Sequence, residues 1–199
     1  MAPIARRGAM LATGLGVVTA PATAWAHDAV GAGSGFLTGF AHPITGPDHV
    51  AAMVAVGLLG AMLGPPAVYL LPILFPLVMA IGGALGVAAV PLPGVEVAIA
   101  ASAIALGLMV ASGRQIPLAA AAAVVALFAI FHGHAHGTEL PAATDALAYA
   151  LGFVVGTGLL HLIGIMFGIP ARWSAGRAMV RALGGAIAVA GVTFLAGAA

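Results

Sequence analysis

Four side chains that could bind a metal ion lie within one short segment of the chain. They are His132, His134, His136 and Glu139, in Phe-His-Gly-His-Ala-His-Gly-Thr-Glu. On a helix, His132, His136 and Glu139 would fall at i, i+4 and i+7 and share one face, whereas His134 would point away from it. Imidazole nitrogen and carboxylate oxygen suit borderline divalent ions such as Ni, Co, Zn or Cu(II). The segment therefore predicts a metal site on one helix face, and the alternative is a polar, solvated helix end.

A second group of donors lies where a short apolar segment meets a longer one. The segment His42-Pro-Ile-Thr-Gly-Pro-Asp48-His49 contains two turn-forming prolines. One imidazole precedes the first proline, and an Asp-His pair follows the second. The C-terminal end of the preceding short helix would present free carbonyls and the negative end of its dipole, which favour a cation. The alternative is that Asp48 only caps the next helix and that the histidines are interfacial residues.

His161 is a third candidate because it lies inside an apolar segment. An ionisable side chain within a membrane span is a functional candidate by default. Thr157, Gly164 and Gly168 would lie on the same side of that helix and form a small, polar track. The alternative is a histidine whose ring is satisfied by a neighbouring backbone carbonyl.

Two further candidates are single residues at the start of a segment. Glu96 opens an apolar stretch, where a carboxylate is either a ligand or a favourable charge at a helix N-terminus. His27 would become the first residue after signal cleavage, and its imidazole and free α-amine could then chelate a metal at the entrance. The alternative for His27 is a terminal residue without a role.

The elements that must position these residues are membrane helices. Of the 199 residues, 63% are hydrophobic and 6% are charged, whereas a soluble domain carries about 25% charged residues. The net charge is near zero and no basic run occurs, which argues against nucleic acid as a partner. The chain has no cysteine, so disulfides and thiolate metal sites are excluded. It also has no lysine, which excludes a retinal Schiff base.

The first 26 residues have the pattern of a signal peptide. Arg6 and Arg7 precede an apolar core, and Ala24-Trp25-Ala26 has the small-x-small form of a cleavage site. We predict a signal peptide over 1–26 and a single polytopic transmembrane domain over 27–199. An uncleaved segment would act as a signal anchor with the same orientation downstream.

Six later segments are apolar enough, at about 20 residues, to cross a bilayer. They are 48–64, 66–90, 94–113, 116–137, 144–169 and 174–197. Residues 30–41 are too short to cross, and Pro43 should stop the helix at His42. We therefore predict an all-α membrane protein: a six-span helical bundle after a cleaved signal peptide. A short half-helix or re-entrant piece should pack against the first full span.

The positive-inside rule orients these six spans with the mature N-terminus in the periplasm. All four mature arginines then lie at or near cytoplasmic loops: Arg114, Arg172, Arg177 and Arg181. Nearly all the candidate donors lie at or near the periplasmic face, with His132 slightly deeper and His161 past the midpoint. We predict a multi-pass protein of the bacterial inner membrane.

These segments resemble the HupE/UreJ family of membrane proteins, which is associated with nickel supply to hydrogenases and ureases. The matching stretches are His42-Pro-x-x-Gly-x-Asp48-His49, Phe131-His-Gly-His-Ala-His-Gly-Thr-Glu139 and Leu160-His161-Leu-Ile-Gly164. The resemblance implies a cleaved signal, six spans and nickel uptake. The metal-handling positions that it implies are His42, Asp48, His49, Glu96, His136 and Glu139. Some members of the family are assigned to cobalt, so the resemblance leaves nickel and cobalt open.

We therefore predict a secondary transporter, not an enzyme, that takes up divalent nickel from the periplasm for enzymes such as hydrogenase or urease. The ion is the substrate, so no prosthetic group is expected. The expected partners are the metal ion and the lipid bilayer, and the sequence leaves open whether the protein forms a homo-oligomer. The sequence has no G-x-x-x-x-G-K-[ST] motif, which leaves facilitated diffusion or an ion gradient. The alternatives are a cobalt permease of the same mechanism and a membrane-anchored periplasmic metal sensor or chaperone, which would not need His161.

Overall fold

The computed structural model describes residues 32–140 and 145–198, and within these ranges the chain is entirely helical. The helices are α1 (Ala32–Thr45), α2 (Pro47–Leu63), α3 (Ala67–Val87), α4 (Val95–Ser112), α5 (Leu118–Thr138), α6 (Ala146–Gly168) and α7 (Ser174–Ala198). A 3₁₀ turn, Ile169–Arg172, extends α6. The described ranges contain no strand, so the all-α prediction is confirmed. The predicted signal peptide, its cleavage site and His27 lie outside the described residues.

Helices α3 to α7 are each long and apolar enough to cross a bilayer, α6 together with its 3₁₀ extension. Helices α1 and α2 qualify only as a pair, a broken span bent by 82°. The described chain thus provides five spans, or six if the bent pair counts as one. The predicted span 48–64 corresponds to α2, which has 17 residues and is counted here only as part of the bent pair, so the count of six spans stays a prediction.

The end of α1 differs from the prediction, because the helix runs through Pro43 and ends at Thr45 instead of stopping at His42. A proline inside a helix removes one backbone hydrogen bond and needs space for its ring. Gly156 on α6 provides that space, since a Cβ there would lie 3.0 Å from the Pro43 ring. The Thr45 hydroxyl also donates to the carbonyl of His42 at 2.8 Å, which satisfies one acceptor of the last turn.

The packing of α1 also differs from the prediction, since α1 lies along α6 and makes few contacts with α2, the predicted first span. Glycines explain this choice. A Cβ on Gly39 would run into the backbone of Tyr149, and a Cβ on Gly152 into the backbone of Phe36. The two helices therefore meet backbone to backbone, which is how small residues drive helix association in lipid.

Similar glycine contacts join the other helices in pairs. Gly57 and Gly164 bring α2 against α6, Gly82 and Gly133 bring α3 against α5, and Gly107 and Gly184 bring α4 against α7. These three pairs of helices therefore also meet backbone to backbone. Helix α6 contacts both halves of the bent α1–α2 pair, so it positions the corner between them.

That corner brings two donor-bearing helix ends together. Gly46 separates the helices, and Pro47 is the first residue of α2, where its missing N–H is not needed. The 82° bend leaves the C-terminal end of α1 beside the N-terminal end of α2. His42 lies on the first of these ends, and Asp48 and His49 lie on the second.

Candidate metal centre

Two imidazoles and one carboxylate converge where α1 meets the end of α5. His42, His136 and Glu139, which we call the surface triad, each offer a donor atom, and these atoms lie within 4.8 Å of one another. His42 Nε2 is 3.1 Å from Glu139 Oε2, and His136 Nδ1 is 4.0 Å from the same oxygen. Among the described residues this is the group whose donors are close enough together to hold one ion.

The surface triad is open on one side and buried on the other. Side-chain exposure falls from 54% at Glu139 to 27% at His42 and 7% at His136. A hydrated cation would therefore meet the carboxylate first and the His136 ring last. Both ring nitrogens of His136 lack a hydrogen-bond partner, so an ion would have a free lone pair to bind on the buried side.

Asp48 orients His49 toward the same place. One carboxylate oxygen of Asp48 is 2.9 Å from both the backbone nitrogen and Nδ1 of His49. Because an ionised carboxylate only accepts, Nδ1 carries the proton and Nε2 keeps its lone pair. That buried Nε2 has no partner. Gly46 is the N-cap of α2, so the alternative in which Asp48 merely caps the helix is wrong.

The rings continue inward from the surface triad as a column. His42 lies 4.7 Å from His136 between ring centroids, His136 lies 4.5 Å from His49, and His49 lies 5.1 Å from His132. His132 and His136 share one face of α5, as their spacing predicts, with His132 one turn deeper. His132 Nδ1 donates to the carbonyl of Phe128 at 2.9 Å, and its Nε2 is buried without a partner. Buried polar atoms are rarely left unpaired, so these nitrogens are candidates for binding a ligand.

His134 has a structural contact away from the column. It lies on the other side of α5, as predicted, and its Nε2 donates to the carbonyl of Val90 at 2.8 Å. Val90 belongs to the loop between α3 and α4. The ring therefore holds that loop against the end of α5.

His161 is buried at 1% exposure but lies deeper than the column. Its ring centroid is 5.4 Å from that of Phe75, which in turn is 5.4 Å from that of His132. The backbone of Pro72 is within reach of the His161 ring as a hydrogen-bond partner, but neither ring nitrogen makes a hydrogen bond of good geometry. The predicted alternative, a ring satisfied by a backbone carbonyl, is therefore met only weakly. Thr157, Gly164 and Gly168 are buried on the same helix, as the predicted track requires.

Two acidic residues, the predicted ligand Glu96 and the residue Asp145, do not join this group. Glu96 is exposed in the first turn of α4 and is not among the residues that converge on the surface triad. Asp145 caps α6, where one of its carboxylate oxygens accepts from the N–H groups of Leu147 and Ala148 at 3.0 and 3.1 Å.

The aromatic walls of the site were missed by sequence reasoning. Phe153 lies 4.4 Å from His136 between ring centroids, and Phe75 contacts both His132 and His161. A signal was present for Phe153, because Phe153, Thr157 and His161 recur at four-residue intervals on α6 and so share a face. Phe75 had no such signal, since it is one apolar residue among many on α3.

Comparison with known proteins gives a consistent result. The family described as HupE / UreJ protein matches residues 15–194. Protein HupE of Rhizobium leguminosarum bv. viciae is 44% identical over 187 residues, which cover 94% of this chain and 97% of that protein. No solved structure matches the chain.

Proposed function

This chain belongs to the HupE/UreJ protein family, and from that membership we propose that it is a permease for a divalent metal ion. Its described helices are long and apolar enough to cross a membrane several times, as in a multi-pass membrane protein. The proposed cargo is nickel, with cobalt as the second candidate, taken up from the periplasm across the bacterial inner membrane for nickel enzymes such as hydrogenase or urease. The ion is the transported substrate, so the proposal includes neither a prosthetic group nor a catalysed reaction.

The surface triad is the observation that carries this proposal. Two nitrogen donors and one carboxylate favour borderline ions over Mg²⁺ and Ca²⁺, which prefer oxygen ligands. Structural metal sites close around their ion with four protein ligands, whereas the surface triad supplies three and is open at Glu139. Such a site can exchange its ion, as a transporter requires.

The contacts of the surface triad suggest how an ion is taken up. Glu139 is the most exposed member, so its charge would attract the hydrated cation first. Nε2 of His42 and Oε2 of Glu139 are 3.1 Å apart and form a hydrogen bond. An arriving ion would take the place of the proton between them. Beyond His136, the free Nε2 atoms of His49 and His132 would supply the next ligands.

The buried part of the column favours transport over sensing. A membrane-anchored sensor or chaperone needs only ligands that face the periplasm. His132 is fully buried, with 0% exposure, and offers a donor that such a protein would not use.

Radiolabelled nickel uptake tests the proposal. Purified protein in liposomes should accumulate Ni²⁺ above protein-free liposomes, and Co²⁺ should compete more strongly than Mn²⁺. Glu139→Gln should lose most of the uptake, while the matched control Asp145→Asn should retain it, because asparagine also caps a helix well. Protein that binds Ni²⁺ but accumulates no more than empty vesicles would contradict transport and favour the sensor or chaperone.

A further inference from the structure

The inner end of the histidine column is closed by an aromatic ring. Phe75 on α3 is fully buried at 0% exposure, and its ring meets the rings of His132 and His161 nearly edge to face, at interplanar angles of 67° and 86°. The surface triad and His161 are therefore separate places, with Phe75 between them. His161 needs an explanation of its own.

His161 is an unusual histidine for a membrane interior. Both ring nitrogens are buried and make no hydrogen bond. A buried polar atom without a partner is unfavourable, and each such atom in a folded protein calls for a reason. A ligand that binds the ring would supply one.

Thr157 shows the same lack of a partner one turn away. Other threonines of the helices, such as Thr45, Thr138 and Thr193, donate their hydroxyl to the carbonyl three residues earlier. Thr157 is buried at 0% exposure, and its hydroxyl makes no such bond. Because Thr157 and His161 are four residues apart on α6, they share a face.

A backbone carbonyl completes this group of donors. Pro76 lies four residues after Pro72 within α3 and has no N–H, so the Pro72 carbonyl lacks its helical donor. That carbonyl interacts with the His161 ring. The His161 ring and the backbone of Pro72 thus meet in a buried place, where neither ring nitrogen has a hydrogen bond of good geometry. A hydroxyl without a partner lies on the same face of α6.

We propose that His161, Thr157 and the carbonyl of Pro72 form an inner site for a borderline divalent cation, separated from the surface triad by the Phe75 ring. This inference rests on the proposed function for the identity of the ion. Phe153, beside His136, and His161 are eight residues apart on α6, so the two sites lie roughly 12 Å apart along the helix. Ions could occupy both sites together, and an ion arriving at the surface triad would favour release from the inner one.

Equilibrium binding of radiolabelled Ni²⁺ to the purified full chain in detergent tests the inner site. The protein should bind two ions per chain. His161→Leu fills the space without a donor and should bind one, and Glu139→Gln combined with His136→Leu should also bind one, now at the inner site. The matched control is His134→Gln, a buried histidine outside the column, which should still bind two.

A second variant covers the case in which His161→Leu does not fold. Thr157→Val keeps the shape of the side chain and removes only the hydroxyl. It should weaken the binding of the second Ni²⁺ by roughly tenfold and leave the binding of the first Ni²⁺ unchanged. A protein that binds a single ion, or two ions in His161→Leu, would overturn the inner site.

Binding and uptake separate this inference from the proposed function. Two bound ions without accumulation in liposomes would refute transport and leave the inner site standing. Accumulation by a protein that binds only one ion would support transport and refute the inner site. Two bound ions, loss of one in His161→Leu, and loss of uptake in the same variant would support both.

Discussion

Asp48 accepts a hydrogen bond from Nδ1 of His49 at 2.9 Å, and this contact leaves the buried Nε2 of His49 with a free lone pair that could bind a metal. The carboxylate thus acts on the metal site through the tautomer and orientation of the ring. Neighbouring partners of this kind commonly change metal affinity by about 10- to 100-fold when removed.

We therefore expect Asp48→Ala to reduce nickel uptake at low Ni²⁺ concentration by about 10-fold or more. Asp48→Asn should be milder, because its side-chain oxygen still accepts from Nδ1 but carries no charge. Initial uptake rates over a range of Ni²⁺ concentrations would measure both effects, with Asp145→Asn as the control. A loss in Asp48→Ala no larger than in that control would contradict the orienting role.

The histidines of α5 should not be equivalent. His136→Ala removes a member of the surface triad, and His132→Ala removes a deeper donor, so both should depress uptake at constant protein level, His132→Ala less. His134→Ala loses its bond to Val90 and the packing of a buried ring, so it should cost stability of about 1–3 kcal/mol with little loss of uptake. Uptake by the three variants, normalised to membrane abundance, tests this order. Equal losses in His134→Ala and His136→Ala would refute the one-face site.

Acid should inhibit uptake. An imidazole binds metal only when it is neutral, and an ordinary histidine has a pKa of about 6.5. Lowering the external pH from about 7.5 to about 5.5 adds protons that compete for the same lone pairs, so uptake at limiting Ni²⁺ should fall and excess Ni²⁺ should restore it. A steep rise of uptake with acidity would instead indicate proton-coupled symport.

The glycine contact between α3 and α5 should be sensitive to a single methyl group. A Cβ on Gly133 would collide with the carbonyl of Met79, whereas a Cβ on Gly158 would meet no atom within 4 Å. We expect Gly133→Ala to destabilise the protein by about 1–3 kcal/mol, since backbone cannot move aside as a side chain can. Gly158→Ala should leave thermal stability in detergent unchanged. Similar melting temperatures for the two variants would contradict this account of the packing.

The orientation of the bundle can be tested with reporter fusions. The positive-inside rule places Arg114 and Arg172 in the cytoplasm and Glu139 in the periplasm. Fusions near these residues should report those compartments. The opposite pattern would overturn both the orientation and the proposed direction of uptake.

Several features of the site follow from local sequence alone. The 3.6-residue period of a helix places His132, His136 and Glu139 on one face and His134 on another, and the structure has this arrangement. The apolar composition likewise predicts an all-helical membrane protein, because only helices and closed barrels satisfy their backbone in lipid. Such properties depend on neighbours a few residues away.

Tertiary structure decided which helices meet. His42 and Glu139 are 97 residues apart in sequence, yet their side chains touch, because α1 packs along α6 and continues past Pro43. Close contacts at glycines determine which helices pack together, but every one of the seven described helices contains glycine, so composition does not say which pair fits. The separation of His161 from the column also depends on one ring, Phe75, from a third helix. Hydropathy and periodicity act within a helix, whereas the metal centre depends on the shapes of surfaces between helices.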